Sequence, residues 1–302
     1  MLSVVKKTNK TTVLFVLVFI WTVLFFLQPS PLSLVQDYGV FTFLGIVGAI
    51  FANSTGAGGG VIFVPFFQYL QFTPDSIVAT SFGIQCCGMT AGALTWAHHY
   101  KSEHKFDKNW AVLPNNLVLC VPAALCGILF VQYSQAGPEL LTQWWGGASN
   151  LHIMFGVFSI LLSIAIFASI PLLKRTEFKV TLKKGDLFAL PFISFTGAII
   201  TAWLSVGVGE LVAVYLIVRG FNVTMSIAVA VILSAFTVWT ALPYHLVVSP
   251  SVVFEVVLFA GIGAIVGGML AKYVVLAFSV QKLKLFFGGW VFILGVSSLP
   301  LF

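Results

Sequence analysis

The chain has 302 residues, of which 59% are hydrophobic and only 8% are charged. Soluble domains carry about 25% charged residues, so this composition excludes an ordinary soluble protein and indicates an integral membrane protein. The formal net charge of +6 is an orientation signal if the basic residues lie in short loops, and we expect no nucleic-acid partner. The four cysteines lie in apolar runs without CxxC spacing and indicate no disulfide framework.

Ten or eleven apolar runs with few or no charges are candidate membrane spans, because a helix needs about 20 apolar residues to cross the bilayer core. The runs are apolar on every side, which favours helices over the alternating strands of a membrane barrel. In chain order they cover residues 12–27, 38–53, 60–72, 76–96, 110–131, 151–173, 187–204, 210–218, 224–247, 252–277 and 285–301.

The first run follows Lys6, Lys7 and Lys10 and resembles a signal peptide, but no small-x-small cleavage site follows it. We therefore predict that residues 1–30 form a cytoplasmic tail and an uncleaved anchor helix. With this tail in the cytoplasm, the count of crossings places all 15 basic residues at or near the inner face. The pattern predicts a multi-pass protein of the cell membrane, embedded in lipid, with a cytoplasmic N-terminus.

Two pairs of short runs, one in each half of the chain, are interrupted by glycine-rich stretches with the letters STGAGG and SVGVGE. Aligning these letters gives pairs that are 151 residues apart, namely Ser54 with Ser205, Gly56 with Gly207, and Gly58 with Gly209. A long run and two further spans follow each pair. This organisation predicts a first transmembrane repeat over residues 38–173 and a second over residues 187–302.

Each predicted repeat has five segments, and an odd number of segments inserts the two halves in opposite senses. The predicted fold class is an all-α integral membrane protein, a polytopic helical bundle of two inverted repeats with short broken or re-entrant helices and an N-terminal anchor helix. Short, glycine-interrupted segments at matching positions of two halves indicate the midplane binding site of a transporter. The pattern leaves open whether each short pair is re-entrant or crosses fully.

The glycine-rich stretches suit an anion as the bound solute. Glycine permits close backbone approach and leaves the first N–H groups of the next half-helix free, and these donors favour anions together with the helix dipole. Close helix packing is the alternative role for such glycines. Including polar side chains at the same depth, the predicted substrate-binding residues are Asn53, Ser54, Thr55, Gly56, Gly58, Gly59, Gly60, Thr80, Ser81, Gln85, Ser205, Gly207 and Gly209.

The segment Gly56-Ala57-Gly58-Gly59-Gly60, followed by Pro65 and by Ala79-Thr80-Ser81 at the start of a long helix that ends near His98, resembles the TauE/SafE-type sulfite exporter family. The resemblance spans the chain after the anchor. The second half departs from the motif, since Glu210 stands at a glycine position and Leu216 replaces the proline. The resemblance implies transport of sulfite, of sulfur-containing organic anions or of small carboxylates.

Two titratable residues are candidates for coupling or gating. Glu210 is an acid in an apolar run, and such residues usually line a pathway or pair with a partner. It is predicted to carry a proton, with capping of a helix N-terminus as the alternative. His245 follows Pro243 at the outer end of a span and titrates near neutral pH in its unperturbed form.

Other ionisable residues are assigned structural roles at the membrane interface rather than functional ones. Arg219 is interpreted as an anchor at the inner face. His98, His99 and His104 surround a lysine-rich loop, but no carboxylate or cysteine completes a familiar ligand spacing. We therefore expect no metal and no cofactor.

The sequence favours a secondary-active permease that moves small anions by rocking two repeats about a midplane site. No P-loop pattern is present, so a proton or sodium gradient, or the gradient of the substrate itself, is expected to supply the energy. An anion channel lined by the same half-helices is the main alternative. An intramembrane enzyme is less favoured because charged catalytic clusters are absent from the sequence, and the oligomeric state is left open.

Overall fold

The computed structural model describes residues 19–134, 143, 150–171 and 178–299, and these fold into twelve α-helices without a β-strand. The predicted tail with Lys6, Lys7 and Lys10 lies outside the described residues. In chain order the helices are α1 (Phe19–Phe26), α2 (Pro31–Tyr38), α3 (Phe41–Thr55), α4 (Gly60–Tyr69), α5 (Pro74–His99), α6 (Leu113–Tyr133), α7 (Leu151–Ser169), α8 (Lys184–Leu204), α9 (Val208–Arg219), α10 (Val223–Pro243), α11 (Phe254–Ala277) and α12 (Val280–Ser297).

Three short elements complete the list. The π-helical turns Tyr100–His104 and Tyr244–Val248 extend α5 and α10, and the 3-10 turn Lys108–Trp110 precedes α6. Six of the described helices, α5, α6, α7, α8, α10 and α11, are long and apolar enough to cross a membrane, while α3 and α4 are shorter and apolar. The prediction of a polytopic, all-helical membrane protein is confirmed.

The anchor region differs from the single predicted run at residues 12–27. Pro31 begins α2, and α1 and α2 meet at an angle of 106°. Prolines at positions 29 and 31 lack amide hydrogens and disfavour helix in the preceding residue, which explains the break. Trp21 of α1 donates an indole hydrogen bond to the Leu258 carbonyl of α11 at 2.9 Å, so the described part of the anchor packs on the bundle.

The centre of the bundle consists of α5 and α10, which are the most buried of the long helices and pack against each other. Close helix packing around them depends on small residues. A Cβ at Gly45 of α3 would collide with the Ala260 carbonyl of α11, and a Cβ at Gly263 of α11 would collide with the Thr42 carbonyl of α3. Both glycines therefore serve close helix packing.

The helix contacts fall into two related sets. α3 packs on α11 and α8 packs on α6, while α11 also packs on α5 and α6 on α10. The helices α5 and α10 contact each other, as do α7 and α12. If α3–α7 are exchanged in order with α8–α12, the list of contacts stays the same. The contacts α3–α11 and α5–α11 become α6–α8 and α6–α10, and the contacts α5–α10 and α7–α12 are unchanged. Two repeats of five helices would give this pattern, although the repeat limits, residues 38–173 and 187–302, remain a prediction.

The backbone corrects the alignment of the two halves. Of the five described residues with positive φ, four form pairs 149 residues apart, Gly56 (φ 79°) with Ser205 (φ 59°) and Gln71 (φ 59°) with Gly220 (φ 93°), and Gly207 (φ 147°) is unpaired. The first residues of α5 and α10, Pro74 and Val223, have the same spacing. The expected spacing of 151 is therefore wrong. The letter pattern Ser-x-Gly-x-Gly occurs in both loops, but the residue that ends the helix in the left-handed conformation is a glycine in one loop and a serine in the other.

Candidate functional site

The two glycine loops contact each other in the interior of the protein. Gly56 ends α3 and Ser205 ends α8, each in the left-handed conformation. A Cβ at Gly60 would collide with the Ser205 carbonyl, and a Cβ at Gly209 would collide with the Gly56 carbonyl. The loops therefore meet backbone to backbone, and only glycine permits this approach at either position.

The carboxylate of Glu210 bridges the two loops. Its Oε1 accepts a hydrogen bond from the Gly58 amide at 2.6 Å, and its Oε2 accepts one from the Gly207 amide at 2.9 Å. Gly58 and Gly207 are 149 residues apart, so these amides occupy equivalent places in the two halves. Glu210 is only 4% exposed. The expectation that these amides are bare is wrong for this conformation, because an acidic side chain of the protein already occupies them.

Three predicted binding residues form an enclosed network beside the loops. Gln85 of α5 accepts a hydrogen bond from the Gly59 amide at 2.9 Å and donates to the Ser205 hydroxyl at 2.8 Å. Ser81 accepts from Gln85 at 3.0 Å and from the Ser205 hydroxyl at 2.9 Å. All four residues are buried. Ser81 and Gln85 hold the loops onto α5, and they do not line the cavity described below, contrary to expectation.

Three further predicted residues lie apart from that cavity. Thr80 accepts a hydrogen bond from the Val253 amide at 3.0 Å, before the start of α11. Asn53 donates to the Ala49 carbonyl at 2.8 Å within α3. His245 packs on the Phe82 ring at 5.5 Å between centroids. Thr80 does not line this cavity, and its hydroxyl positions the chain that enters α11.

A cavity lies beside Glu210, between the glycine loops and helices α7, α9, α10 and α12. Its empty volume is about 540 Å³, counted with the solvent at its opening. Of the predicted set, only Ser54, Thr55 and Glu210 line it. The other lining residues are Ala57, Leu162, Ile166, Ala213, Val214, Ile217, Ile227, Lys284 and Phe287.

Lys284 is a cavity-lining residue that the sequence analysis did not include among the candidate site residues. It lines the cavity together with Glu210, and its Nζ donates to the Ser169 hydroxyl at 2.5 Å. Within the described ranges no carboxylate lies within 4.0 Å of Nζ. The sequence analysis assigned this lysine to the inner face from the count of crossings. Its spacing from Phe287, three residues later on one helix face, was the available signal for an inward orientation.

Arg219 is not a free interface anchor. Its Nε donates to Asp186 Oδ1 at 2.6 Å, and the Asp186 side chain is fully buried. The Tyr215 hydroxyl donates to the same oxygen at 2.7 Å, and the Lys183 amide donates to Oδ2 at 2.9 Å. The ion pair joins the end of α9 to the start of α8 and fixes the second short hairpin.

The histidine cluster also differs from expectation. Glu103 contributes a carboxylate to His99 and His104, and one ligand atom from each of the three lies within 4.8 Å of the others. Glu103 follows His99 by four residues, a spacing that places both on one helix face, but the sequence analysis did not include Glu103 in the set. The interpretation that no carboxylate completes this set is wrong.

These features define a polytopic helical membrane protein with an internal cavity that carries one carboxylate and one ammonium group. The sequence profile of a protein family described as Sulfite exporter TauE/SafE matches residues 41–298. The chain belongs to this family, whose members are membrane transporters of the sulfite and anion exporter type. Neither the curated proteins nor the solved structures include a significant match.

Proposed function

We propose that the protein is a secondary-active transporter of small organic anions and that the anion binds in the cavity beside Lys284. The observation that carries the proposal is an ammonium group that lines an internal cavity and has no carboxylate partner in the described part of the chain. Ionisable side chains inside membrane proteins are costly and usually pair or face a transported solute. An anion in the cavity supplies the missing opposite charge.

The cavity walls favour an anion that carries a small apolar group. Apart from Glu210 and Lys284, the only polar side chains on the walls are Ser54 and Thr55. Pockets with mostly apolar walls and a few polar groups bind the apolar part of a ligand and orient its polar part. We therefore propose a short sulfonate or carboxylate as the preferred substrate, with sulfite as the smallest member of the series.

The asymmetry of the two halves supports alternating access. At the spacing of 149 residues, the cavity residues Ser54 and Thr55 correspond to Trp203 and Leu204, and Glu210 corresponds to Val61. Bulky or apolar side chains thus stand in one half where the other half has small or polar ones. We propose that the observed cavity is open on one side and that rocking of the repeats 38–173 and 187–302 opens the opposite side.

The cavity extends along α9, from Glu210 in its first turn to Ile217 near its end, a distance of about 10 Å at 1.5 Å per residue. The end of α9 lies on the predicted cytoplasmic side, together with Lys284. We propose that the structure represents an inward-facing state in the cell membrane, with a cytoplasmic N-terminus.

Glu210 is proposed to couple substrate movement to a proton. Its carboxylate links Gly58 of the first loop to Gly207 of the second, so the charge on this side chain affects both loops. Protonation neutralises this carboxylate and weakens its hydrogen bonds to the two loops, because hydrogen bonds to ionised groups are about twice as strong as neutral ones. Sodium coupling and gating by His245 stay predictions.

The test measures uptake of radiolabelled sulfite, sulfoacetate and pyruvate by the purified protein in proteoliposomes. We expect Lys284→Ala to raise the KM for the transported anion at least tenfold, because a charge-assisted contact contributes about 1.5–3 kcal/mol. Lys284→Arg, which retains the charge, should restore much of the affinity. Lys282→Ala, which removes an exposed lysine from the same helix, is the matched control and should leave KM unchanged.

Three outcomes would contradict parts of the proposal. Uptake of none of these anions by the wild-type protein would reject anion transport. Equal KM values for Lys284→Ala and Lys282→Ala would reject the cavity as the binding site. Single-channel currents far above carrier turnover would establish the alternative anion channel.

A further inference from the structure

We propose that His99, Glu103 and His104 form a binding site for a divalent transition metal of the zinc class. One ligand atom from each residue lies within 4.8 Å of the other two. Ligand atoms in a tetrahedral zinc site are about 3–3.5 Å apart, given metal–ligand distances of about 2.0–2.2 Å. Small rotations of the three side chains are therefore sufficient to bind a metal.

The local backbone explains why these residues meet. In an α-helix, residues five apart point about 140° away from each other at 3.6 residues per turn. The segment Tyr100–His104 is instead a π-helical turn at the end of α5, with hydrogen bonds that span five residues. This wider turn brings His104 onto the same side as His99 and Glu103, so the cluster depends on an uncommon backbone geometry.

His99 is a buried side chain without a satisfied hydrogen bond. It is 2% exposed, and neither of its ring nitrogens has a hydrogen-bond partner in the described structure. Its Nδ1 lies 3.0 Å from Glu103 Oε1, but this contact does not satisfy hydrogen-bond geometry. A buried, unsatisfied imidazole that points at a carboxylate and a second imidazole is the arrangement that a metal ion would satisfy.

The second histidine is held in position by its neighbours. His104 Nδ1 lies 3.0 Å from Asp107 Oδ2, which leaves the other ring nitrogen for a metal. The Trp110 ring stacks on His104 at 4.5 Å between centroids and 9° between planes. Metal-binding histidines usually direct their second nitrogen to a carboxylate in this way, which fixes the tautomer and the ring orientation. Asp107 is thus a positioning residue.

The ligand set selects the class of metal. Two imidazoles and one carboxylate suit zinc and similar transition metals, whereas magnesium and calcium prefer oxygen ligands alone. Lys272 of α11 lies near His99 and adds an opposing positive charge, which the carboxylate of Glu103 offsets. The cluster lies at the predicted cytoplasmic end of α5, so a bound metal would tie this helix to the connection that enters α6.

The test is isothermal titration of Zn²⁺ into the full-length protein in detergent after removal of any affinity tag. We expect one Zn²⁺ per chain, with at least tenfold weaker binding in Glu103→Gln and His104→Ala. Asp107→Asn should weaken binding about tenfold, as loss of a carboxylate behind a metal-bound histidine usually does. His98→Ala removes an exposed histidine next to the cluster and is the matched control.

A second measurement does not depend on the heat of binding. Cu²⁺ bound at the cluster lies beside Trp110, so it should quench the fluorescence of that residue, and Trp110→Phe should remove this quenching while Zn²⁺ binding persists. Absence of Zn²⁺ binding by the wild-type protein would overturn the proposal. Equal losses in His98→Ala and His104→Ala would also overturn it, since both would then reflect non-specific surface binding. Neither outcome bears on anion transport.

Discussion

Glu210 combines two roles that are usually separate. As the third residue of α9, it accepts the amide hydrogen of Gly207, which is how an acid caps the helix that contains it. The same carboxylate also accepts the Gly58 amide from the other half of the chain, and capping of α9 does not explain that contact. This second hydrogen bond makes Glu210 a link between the two loops.

The proposed coupling role of Glu210 predicts that one substitution separates two transport activities. Glu210→Gln is neutral at every pH and cannot carry a proton, so uptake driven by a pH gradient should fall at least tenfold. Exchange of labelled for unlabelled substrate should persist, because exchange needs no net proton movement. Both rates are measured in the same proteoliposomes, with imposed gradients and with substrate on both sides.

Glu255→Gln is the matched control for that experiment. Glu255 also lies in the first turn of a helix, α11, but it is outside the cavity. This variant should retain both activities. Equal loss of driven uptake and exchange in Glu210→Gln would instead assign the residue to folding or substrate binding.

Residue chemistry in the sequence identified three of the side chains that line the cavity, and their roles in transport stay predictions. Glu210 was recognisable as an acid in an apolar run, and Ser54 and Thr55 as hydroxyls beside a glycine break. Lys284 was not recognised, because a lysine near a helix end is normally an interface residue and its inward orientation depends on how α12 packs. Hydrogen-bond partners across the two halves were equally inaccessible, since they depend on contacts between residues 152 and 120 positions apart in the chain.

At the level of elements, apolar runs predicted the described helices except α2 (Pro31–Tyr38), but they did not predict the fit between loops. The runs at residues 60–72 and 210–218 correspond to α4 and α9, within the few residues by which helix ends usually vary. The predicted repeat spacing of 151 residues was wrong, because the matching Ser-x-Gly-x-Gly residues of the two loops have different backbone conformations. Helices are local, whereas the approach of Gly60 to the Ser205 carbonyl is a tertiary contact.

That contact predicts that the loops do not tolerate a side chain. Gly60→Ala places a Cβ against the Ser205 carbonyl, which is backbone and cannot rotate away. Overpacking of this kind destabilises by about 1–3 kcal/mol, so the thermal midpoint should fall and substrate transport should fall with it. Thermal unfolding of the purified protein in detergent, monitored with uptake, checks both.

The variant Gly289→Ala is the control, because it distinguishes the steric collision at position 60 from the general effect of replacing a glycine. Gly289 lies within α12, and a Cβ there meets no atom within 4 Å. This variant should be as stable as the wild-type protein or slightly more stable, since alanine favours helix over glycine by about 1 kcal/mol. If the two variants lost stability equally, the close approach of the loops would not be the cause.

At the level of the whole molecule, the helix contacts of the two halves are related, whereas the interior is asymmetric. The pairing of α3 with α11 and of α8 with α6 relates the two halves, yet the described cavity lies on one side of the glycine loops. The corresponding positions on the other side include Val61, Trp203 and Leu204. A bundle in which related halves have exchangeable packing can alternate between two such states, which is the structural requirement for alternating access.

Cysteine labelling tests this alternation at two related positions, Ala213 and Val64, which are 149 residues apart. Ala213 is 3% exposed and lines the cavity, whereas Val64 is fully buried and does not line it. In a background that lacks the four native cysteines, Ala213→Cys should react with an anionic, membrane-impermeant thiol reagent from the cytoplasmic side only, and a transported anion should slow the reaction. Val64→Cys should become reactive from the opposite side only when substrate turnover allows the outward state to form. Equal reactivity of Ala213→Cys from both sides would contradict a one-sided cavity and would favour a continuous pore.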